Sequence, residues 1–413
     1  MENWNNRFIV DKEFTRTFAT EFNRGPGVFL VPPLRQRQIP FCRIARNAWR
    51  AARGLLQAPA VRTVLALLAM ASSALATDRF TGWQSCATSG CHGGGTGKNQ
   101  VQIWQKDDPH ARAYGILIAE RSKRMGEALG IKDTAASAQC TVCHSPMQSA
   151  APDRLAPSLK NPNLGVSCES CHGPAEGWLR YHTRPDLTHT HRVAAGLRDL
   201  DSTYQRANSC VGCHGNLPAE LLQAGHPTLR FELARQLKDL PPHWPAHDLA
   251  QAPAAWITGQ AVLLRELSWL SEKGQPQPER IVALHWILKA TPLGGENLPT
   301  EAGAGSLRSA ANRLAKLAST TRWNPKKTRA QFDRLTALAS DLSASEPPVA
   351  FARATVLTPA LRAMTLGLSP AVAEKAKAHL EAMELAIRSP AVFDTQRYVD
   401  LTADLATAIR TAE

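Results

Sequence analysis

The sequence predicts an all-α protein with two successive helical parts. Residues 86–214 contain four closely spaced clusters of two cysteines and a histidine, and the chain after residue 251 repeats apolar side chains at helical intervals. A chain of 413 residues usually forms two or three domains. The sequence therefore divides into a leader at 1–76, a cysteine- and histidine-rich domain at 77–250 and a helical bundle at 251–413.

The leader ends in the pattern of an export signal. Residues 64–76 form the apolar run VLALLAMASSALA, which follows Arg62 and ends in Ala-Leu-Ala. This pattern predicts secretion, a disordered preceding extension and cleavage after Ala76. A buried helix is the alternative, since the run is shorter than the about 20 residues that span a membrane. We expect a periplasmic mature protein without a transmembrane span. Translation starting near Val61 would leave a compact leader and remove Cys42.

The basic charge of the chain lies largely in this leader. The formal net charge is +13, and residues 1–76 hold eleven Lys and Arg against four Asp and Glu. In the rest of the chain, Lys and Arg are scattered and do not form basic runs with interleaved aromatic residues. We therefore expect no nucleic-acid partner.

Eight of the nine cysteines lie in four pairs, and a histidine directly follows the second cysteine of every pair. The four clusters are Cys86/Cys91 with His92, Cys140/Cys143 with His144, Cys168/Cys171 with His172, and Cys210/Cys213 with His214. Three of them read C-x-x-C-H, which is the attachment signature of c-type haem.

The chemistry of haem attachment explains this spacing. Each thiol adds to one vinyl group, so both sulfurs must reach one edge of the porphyrin, and the adjacent histidine then binds the iron. In WQSCATSGCHGG, four residues separate Cys86 from Cys91, and this longer loop can bulge while both sulfurs still reach the vinyls. We expect four covalently bound haems c. A disulfide or free thiols at the first cluster, and structural zinc or a disulfide framework more generally, are the alternatives.

The spacing of the clusters predicts a core made largely of haem. Successive motif histidines are 52, 28 and 42 residues apart. About 32 residues for each haem are too few to build a separate protein core around it. We therefore expect the haems to pack closely, which lets electrons pass between them without a catalytic residue.

A six-coordinate haem iron needs a second axial ligand, and nine histidines lie outside the four motifs. The expected distal ligands, chosen for their nearness to a motif or their position at a helix entry, are His110, His182, His191 and His226. His189 is the alternative to His191, and His243 and His247 rank below them. The two histidines of the C-terminal helices are expected to be structural.

Several quoted stretches resemble a known family. The order SGCH, PHARAY, CTVCHSP, GVSCESCHGP, NSCVGCH and GHPTLRFEL over residues 80–245 resembles the tetrahaem cytochrome c-554 family, and more broadly the multihaem cytochromes of nitrogen and sulfur redox metabolism. The resemblance implies a helical periplasmic electron carrier with stacked haems that mostly have two histidine ligands. It also implies that one haem lacks a distal ligand, by motif order the second, at His144.

The C-terminal part shows no haem motif, nucleotide-binding loop or catalytic triad. Stretches such as AWITGQAVLLRELSWLSEKG and SLRSAANRLAKLAST place apolar residues at i, i+3, i+4 and i+7. They predict a bundle of roughly four to six helices. It would serve as a docking or oligomerisation module, or as a scaffold that buries one side of the haem domain.

Three functions are consistent with these features. The leading interpretation is a periplasmic tetrahaem cytochrome that exchanges electrons with a redox protein donor and acceptor and transforms no substrate. The first alternative is an oxidoreductase that acts on a small nitrogen or sulfur compound at one five-coordinate haem, with Arg180, Tyr181, Arg184 or Arg192 nearby. The second is an electron-transfer subunit of a larger respiratory complex, with the bundle as interface.

Overall fold

The computed structural model describes residues 78–215, 217–241, 248–301 and 303–411. The predicted leader lies outside these residues, as do Cys42, His243 and His247. The described residues form helices and loops, with one isolated parallel bridge between Phe80 and Leu155 and no strand among them. The all-α prediction is confirmed. No helix in the described part of the chain is long and apolar enough to cross a membrane.

The N-terminal part consists of short helices joined by long loops. The helices are α1 (Gln100–Asp107), α2 (Ala113–Leu117), α3 (Glu120–Leu129), α4 (Ala138–His144), α5 (Cys168–His172), α6 (His189–Ala194), α7 (Thr203–His214), α8 (Ala219–Gln223) and α9 (Leu233–Asp239). Three of the Cys-x-x-Cys-His motifs lie on such helices, and each of those helices ends at the motif histidine.

The C-terminal part consists of longer helices. They are α10 (Ala252–Glu272), α11 (Pro278–Lys289), α12 (Pro292–Asn297), α13 (Ala304–Thr320), α14 (Pro325–Ala337), α15 (Pro347–Leu368), α16 (Pro370–Ala386) and α17 (Thr395–Arg410). These eight helices exceed the predicted four to six. The apolar periodicity continues across the turn at Gly274, which has a φ of 77° and separates α10 from α11, and the short α12 lies in the Gly- and Pro-rich stretch that follows α11.

Proline and capping side chains fix where these helices begin. Pro325 and Pro370 occupy first-turn positions, where the missing N–H costs no helical hydrogen bond. The Asn324 side chain accepts a hydrogen bond from the Lys327 N–H, and the Ser369 side chain caps α16 in the same way. The sequence therefore sets the starts of these helices locally.

Helix α10 lies at the centre of the packing. It contacts α7, α9, α11, α13 and α15. Its Trp256, Ile257 and Leu264 side chains are fully buried, and they belong to one apolar cluster that also contains Ala207 and Val211 of α7. The helix that carries the fourth motif is therefore packed directly on the C-terminal helices.

Candidate haem-binding site

Three pairs of histidine rings face each other in the N-terminal part. The centroids of His92 and His182 are 6.0 Å apart, those of His110 and His214 are 6.1 Å apart, and those of His144 and His226 are 6.3 Å apart. Each pair joins one motif histidine to one histidine outside the motifs. The three outer histidines are among the four that the sequence predicts as distal ligands.

These separations match two imidazoles bound to opposite faces of one metal ion. A metal–imidazole nitrogen bond of about 2.0 Å, with the ring centre about 1.1 Å behind the nitrogen, puts the centroids about 6 Å apart. Rings that stack directly on each other lie closer than this. The three pairs therefore have the spacing of axial ligand pairs.

The Nδ1 atoms of the paired histidines are bonded to oxygen acceptors. His92 Nδ1 lies 3.1 Å from Gln100 Oε1, and His110 Nδ1 lies 2.9 Å from Asp108 Oδ1. The other three acceptors are backbone carbonyl oxygens. His144 Nδ1 lies 3.1 Å from the Ala113 carbonyl oxygen, and His182 Nδ1 lies 2.6 Å from that of Leu179. His226 Nδ1 lies 2.8 Å from the Pro227 carbonyl oxygen. A carbonyl oxygen only accepts, so Nδ1 carries the proton and Nε2 keeps its lone pair for a metal.

The sixth paired histidine follows the same rule once an amide is turned. His214 Nδ1 lies 3.4 Å from Gln236 Nε2, while Gln236 Oε1 is buried without a hydrogen-bond partner among the described residues. The oxygen and nitrogen of a glutamine amide are interchangeable at this level. With the amide turned, Gln236 Oε1 accepts the Nδ1–H of His214, so that these two atoms are hydrogen-bonded to each other.

Burial favours the neutral form of three of these imidazoles, as metal binding requires. Burial, together with the neighbouring His110, lowers the pKa of His214 to about 4. The pKa of His144 is lowered by burial and by His226, against the Ala113 carbonyl, which raises it. Burial also lowers the pKa of His182, with a smaller contribution from His92.

The motif cysteines bring different motifs into contact. The Cys86 and Cys168 thiols of the first and third motifs lie close enough to shift each other's pKa, which is lowered for Cys86 and raised for Cys168. The Cys143 thiol of the second motif likewise raises the pKa of Cys213 in the fourth. Burial and, to a smaller extent, the nearby Cys171 thiol raise the pKa of Cys210 to about 12. The third and fourth motifs are therefore neighbours as well.

Glu169, between the two cysteines of the third motif, ties that motif to the first. Its buried carboxylate accepts hydrogen bonds from the peptide N–H groups of Gly82 at 2.6 Å, Thr81 at 2.9 Å and Ala175 at 2.7 Å. Burial raises the pKa of this carboxyl group, and the N–H donors oppose that change. No pattern in the sequence indicates this role, because a residue between motif cysteines can equally face solvent.

Unpartnered donors and exposed apolar side chains in this part suit haem. Trp178 Nε1, Arg192 Nε and Arg206 Nη1 are buried without hydrogen-bond partners among the described residues. Such N–H groups suit the carboxylates of haem propionates. Tyr181, next to His182, is 49% exposed, and Leu222, four residues before His226, is 38% exposed. The residues present therefore fit c-type haem.

The fourth predicted distal ligand lies on α6. His191 Nδ1 is 3.0 Å from Thr188 Oγ1 and closes the capping box of that helix. The alternative, His189, instead has Nε2 bonded to Asp199 at 3.0 Å, with Asp201 at 3.7 Å. The nitrogen that would bind iron is thus already bonded in His189, which favours His191. In the C-terminal part, His285 Nε2 bonds the Pro299 carbonyl at 2.6 Å.

Comparison with known proteins shows a family similarity over part of the chain. Residues 85–173, which include the first three motifs, match the family model described as cytochrome c554 and c-prime. Over these residues the chain is similar to the cytochrome c-554 family. A curated relative, cytochrome c-554 of Nitrosomonas europaea, is 31% identical over 127 residues, which are 30% of this chain and 51% of the relative. The chain thus spans about half the length of that relative. No solved structure matches the chain significantly.

The similarity to the cytochrome c-554 family confirms the resemblance drawn from the motifs. It supports covalently bound c-type haem and a role in electron transfer. The matched segment of the family model ends at Gly173, so the fourth motif and the C-terminal helices lie beyond it.

Proposed function

We propose that this protein is a periplasmic tetrahaem c-type cytochrome that carries electrons between redox proteins. The observation that carries the proposal is the set of three histidine pairs, each joining a motif histidine to a distal histidine at 6.0–6.3 Å. Three independent pairs at the separation of axial ligands are not expected of histidines that merely pack in a core.

Each haem has its own residues. The proposed haem-binding sets, in motif order, are Cys86, Cys91 and His92 with distal His182; Cys140, Cys143 and His144 with distal His226; Cys168, Cys171 and His172 with distal His191; and Cys210, Cys213 and His214 with distal His110. The paired rings support the first, second and fourth sets. The third distal ligand is assigned by elimination, because the Nε2 atom of its alternative, His189, is bonded to Asp199. The first set keeps its assignment despite its longer spacer, because the His92–His182 pair has the same separation as the other two.

The cysteine contacts support an order for the haems. The thiol pairs Cys86–Cys168 and Cys143–Cys213 bring the first motif against the third and the second against the fourth. The nearness of Cys171 and Cys210 joins the third to the fourth. An electron would therefore pass along the order first, third, fourth and second, and either end of this chain of sites could receive it.

The residues around the irons hold and orient them. Haem iron supplies a one-electron Fe(III)/Fe(II) couple when bound. The Nδ1 hydrogen bonds fix the planes of the histidine rings and the protonation state of each imidazole. Three histidine pairs held in this way would change little in position when a bound iron changes its oxidation state, which would keep the reorganisation on electron transfer small.

The open-haem alternative is less well supported. It needs an iron without a distal ligand, and the family resemblance implies the second haem for this role. Here the ring of His226 lies 6.3 Å from that of His144. The Arg121 guanidinium holds the His226 loop by donating to the Gly225 carbonyl at 2.7 Å. We therefore favour a carrier over an enzyme that acts on a small nitrogen or sulfur compound.

We assign the C-terminal helices the role of a scaffold for the fourth haem. Arg265 of α10 donates to the Asn208 side chain of α7 at 2.6 Å and to the Tyr204 hydroxyl at 3.2 Å. Asn312 of α13 accepts from Tyr204 at 2.7 Å. This network, together with the shared apolar cluster, would hold the fourth motif rigid. Interfaces to a respiratory complex or a second copy of the chain would use other faces of the bundle.

Export follows from the cofactor and the leader. Haem c attachment in the periplasm and the apolar run ending at Ala76 both favour a secreted mature chain. N-terminal sequencing of the haem-loaded protein from a periplasmic fraction tests this directly. A mature chain beginning at Thr77 is expected, and haem-loaded protein confined to the cytoplasm would contradict it.

The test of the function is spectroscopy of the purified holoprotein. We expect intact mass and the pyridine haemochrome assay to give four haems for each chain. We expect low-temperature EPR of the oxidised form to show only low-spin iron and the reduced form to bind no carbon monoxide. Fewer haems would contradict the cofactor count. High-spin iron with carbon monoxide binding would instead favour the oxidoreductase.

A further inference from the structure

Among the described residues, Asp108 is the one carboxylate that contacts the Nδ1 atom of a histidine in the three pairs. Its side chain is buried, with 8% exposed, and Oδ1 lies 2.9 Å from both the backbone nitrogen and the Nδ1 atom of His110. The first bond caps the 3₁₀ turn Pro109–Arg112. The second bond fixes the imidazole plane and directs Nε2 towards His214.

The other paired histidines bond neutral acceptors at Nδ1. His144, His182 and His226 are bonded to backbone carbonyl oxygens. His92 is bonded to the Gln100 side-chain amide, and His214 to the Gln236 side-chain amide once that amide is turned. A carboxylate draws the Nδ1 proton more strongly than an amide oxygen does. It thereby makes Nε2 a stronger electron donor to a bound metal.

Asp108 also lies close to the junction of the third and fourth motifs. The pKa of the Cys171 thiol is raised by burial and also by the nearby Asp108 carboxylate, whereas Arg198 lowers it. Arg198 faces the same junction and donates to the carbonyls of Ser170 at 2.9 Å and Cys171 at 2.7 Å. The negative charge of Asp108 therefore acts at short range on two adjacent iron sites.

We propose that Asp108 is a positioning residue that lowers the reduction potential of the fourth haem, whose axial ligands are His110 and His214. The proposal rests on the function proposed above. Both effects of the carboxylate, the stronger imidazole donor and the negative charge, stabilise Fe(III) over Fe(II). The fourth haem would then be harder to reduce than its neighbours, so electrons would rest on the neighbouring haems and pass through it only transiently.

The test is an EPR-monitored redox titration of the holoprotein and of Asp108→Asn. Asparagine still accepts the His110 backbone N–H, so the turn keeps its cap. At the wild-type midpoint of the fourth haem, we expect the ratio of reduced to oxidised iron to rise about tenfold, a shift of about 59 mV for one electron. The haem of the His92–His182 pair, with ring planes 15° apart, serves as the internal reference and keeps its midpoint.

Gln100→Glu is the reciprocal variant. It places a carboxylate against His92 Nδ1, and it should lower the midpoint of the first haem while leaving the fourth unchanged. If all the haem midpoints of Asp108→Asn stay at their wild-type values, or if all move by the same amount, the proposal is overturned. If Asp108→Asn instead loses the low-spin signal of the fourth haem, the Gln100→Glu variant decides. A first-haem midpoint that does not shift in Gln100→Glu then overturns the proposal. Wild-type protein without four low-spin haems would contradict the proposed function instead.

Discussion

The Glu169 carboxylate accepts a 2.6 Å hydrogen bond from the Gly82 peptide N–H, and this bond links the third haem motif to the chain entering the first. Glu169→Ala removes the acceptor of three peptide N–H groups, those of Gly82, Thr81 and Ala175. Because an unsatisfied buried donor costs about 1–3 kcal/mol, we expect the free energy of unfolding to fall by about 3 kcal/mol or more. Guanidinium unfolding of the holoprotein, followed by circular dichroism, measures this loss.

Glu176→Ala is the matched control. Glu176 lies seven residues later and forms an exposed ion pair with Arg79, at 2.8 Å. Exposed pairs contribute little, so we expect almost no change in the unfolding midpoint. Equal losses in the two variants would show that Glu169 acts only through its charge and not as a buried acceptor.

His226→Ala should open the second haem. The ring of His226 lies 6.3 Å from that of His144, and alanine offers no ligand in its place. We expect one more carbon monoxide to bind for each reduced chain than in the wild type, and a new high-spin EPR signal in the oxidised form. His285→Ala, which alters a histidine bonded to the Pro299 carbonyl, is the control and should leave both readouts unchanged. Unaltered carbon monoxide binding in His226→Ala would show that His226 is not the distal ligand.

The ring planes of the three pairs predict distinguishable EPR spectra. The planes of His92 and His182 are 15° apart, whereas those of His110 and His214 are 84° apart and those of His144 and His226 are 68° apart. Parallel imidazoles lift the degeneracy of the iron dπ orbitals and give a rhombic low-spin spectrum. Perpendicular imidazoles keep the orbitals close in energy and give a large highest g value. We expect one rhombic signal from the first haem and two large-g signals, and His182→Ala should remove the rhombic signal alone.

The sequence identified the motif residues and the three histidines that the structure pairs with motif histidines, because both sets follow local patterns. Cys-x-x-Cys-His is a contiguous motif, and His110, His182 and His226 lie close in sequence to a motif or at a helix entry. Which distal histidine faces which motif depends on the tertiary fold. His110, for example, pairs with His214, 104 residues later, and not with the nearer His92 or His144.

The Nδ1 partners show the same limit in more detail. Asp108 precedes Pro109 and His110, so a capping role could have been inferred from the sequence, but its bond to the imidazole could not. Gln236 reaches His214 from a different helix. The apolar period of the C-terminal part predicted helices correctly but not their number, because periodicity continues across a single tight turn such as that at Gly274.

Gly215 should be intolerant of alanine because the C-terminal helices press against it. A Cβ atom there would lie 2.5 Å from Val211 Cγ2 and 2.8 Å from Leu263 Cδ1 of α10. We expect Gly215→Ala to lower the free energy of unfolding by about 1–3 kcal/mol through overpacking. Gly212→Ala in α7 is the control, since a Cβ there meets no atom within 4 Å and the helix gains propensity. Equal unfolding midpoints for the two variants would argue against close packing of the fourth motif on α10.

Glu232 should make stability fall as the pH rises. It is buried and caps α9 by accepting from the N–H groups of Ala234 at 2.9 Å and Arg235 at 2.7 Å. Burial raises its pKa from 4.5 to about 7, while the N–H donors, Arg362 and Arg235 oppose the shift. Glu384 holds both arginines, at 2.6 Å from Arg362 and 2.8 Å from Arg235. Between pH 4.5 and about 7, the folded protein therefore keeps a proton that the unfolded chain has released.

The stabilisation from protonated Glu232 is complete below pH 4.5 and is lost as the pH rises through about 7, at a cost of about 3 kcal/mol. Glu232→Gln keeps one acceptor oxygen without ionising, so we expect a flatter pH profile and a variant at least as stable as the wild type at pH 8. Urea unfolding at pH 5 and pH 8 measures the difference. Asp394→Asn, at the exposed cap of α17, is the matched loss of a capping carboxylate and should keep the wild-type slope. Parallel pH profiles for Glu232→Gln and the wild type would show that Glu232 is ionised in the folded protein throughout this range.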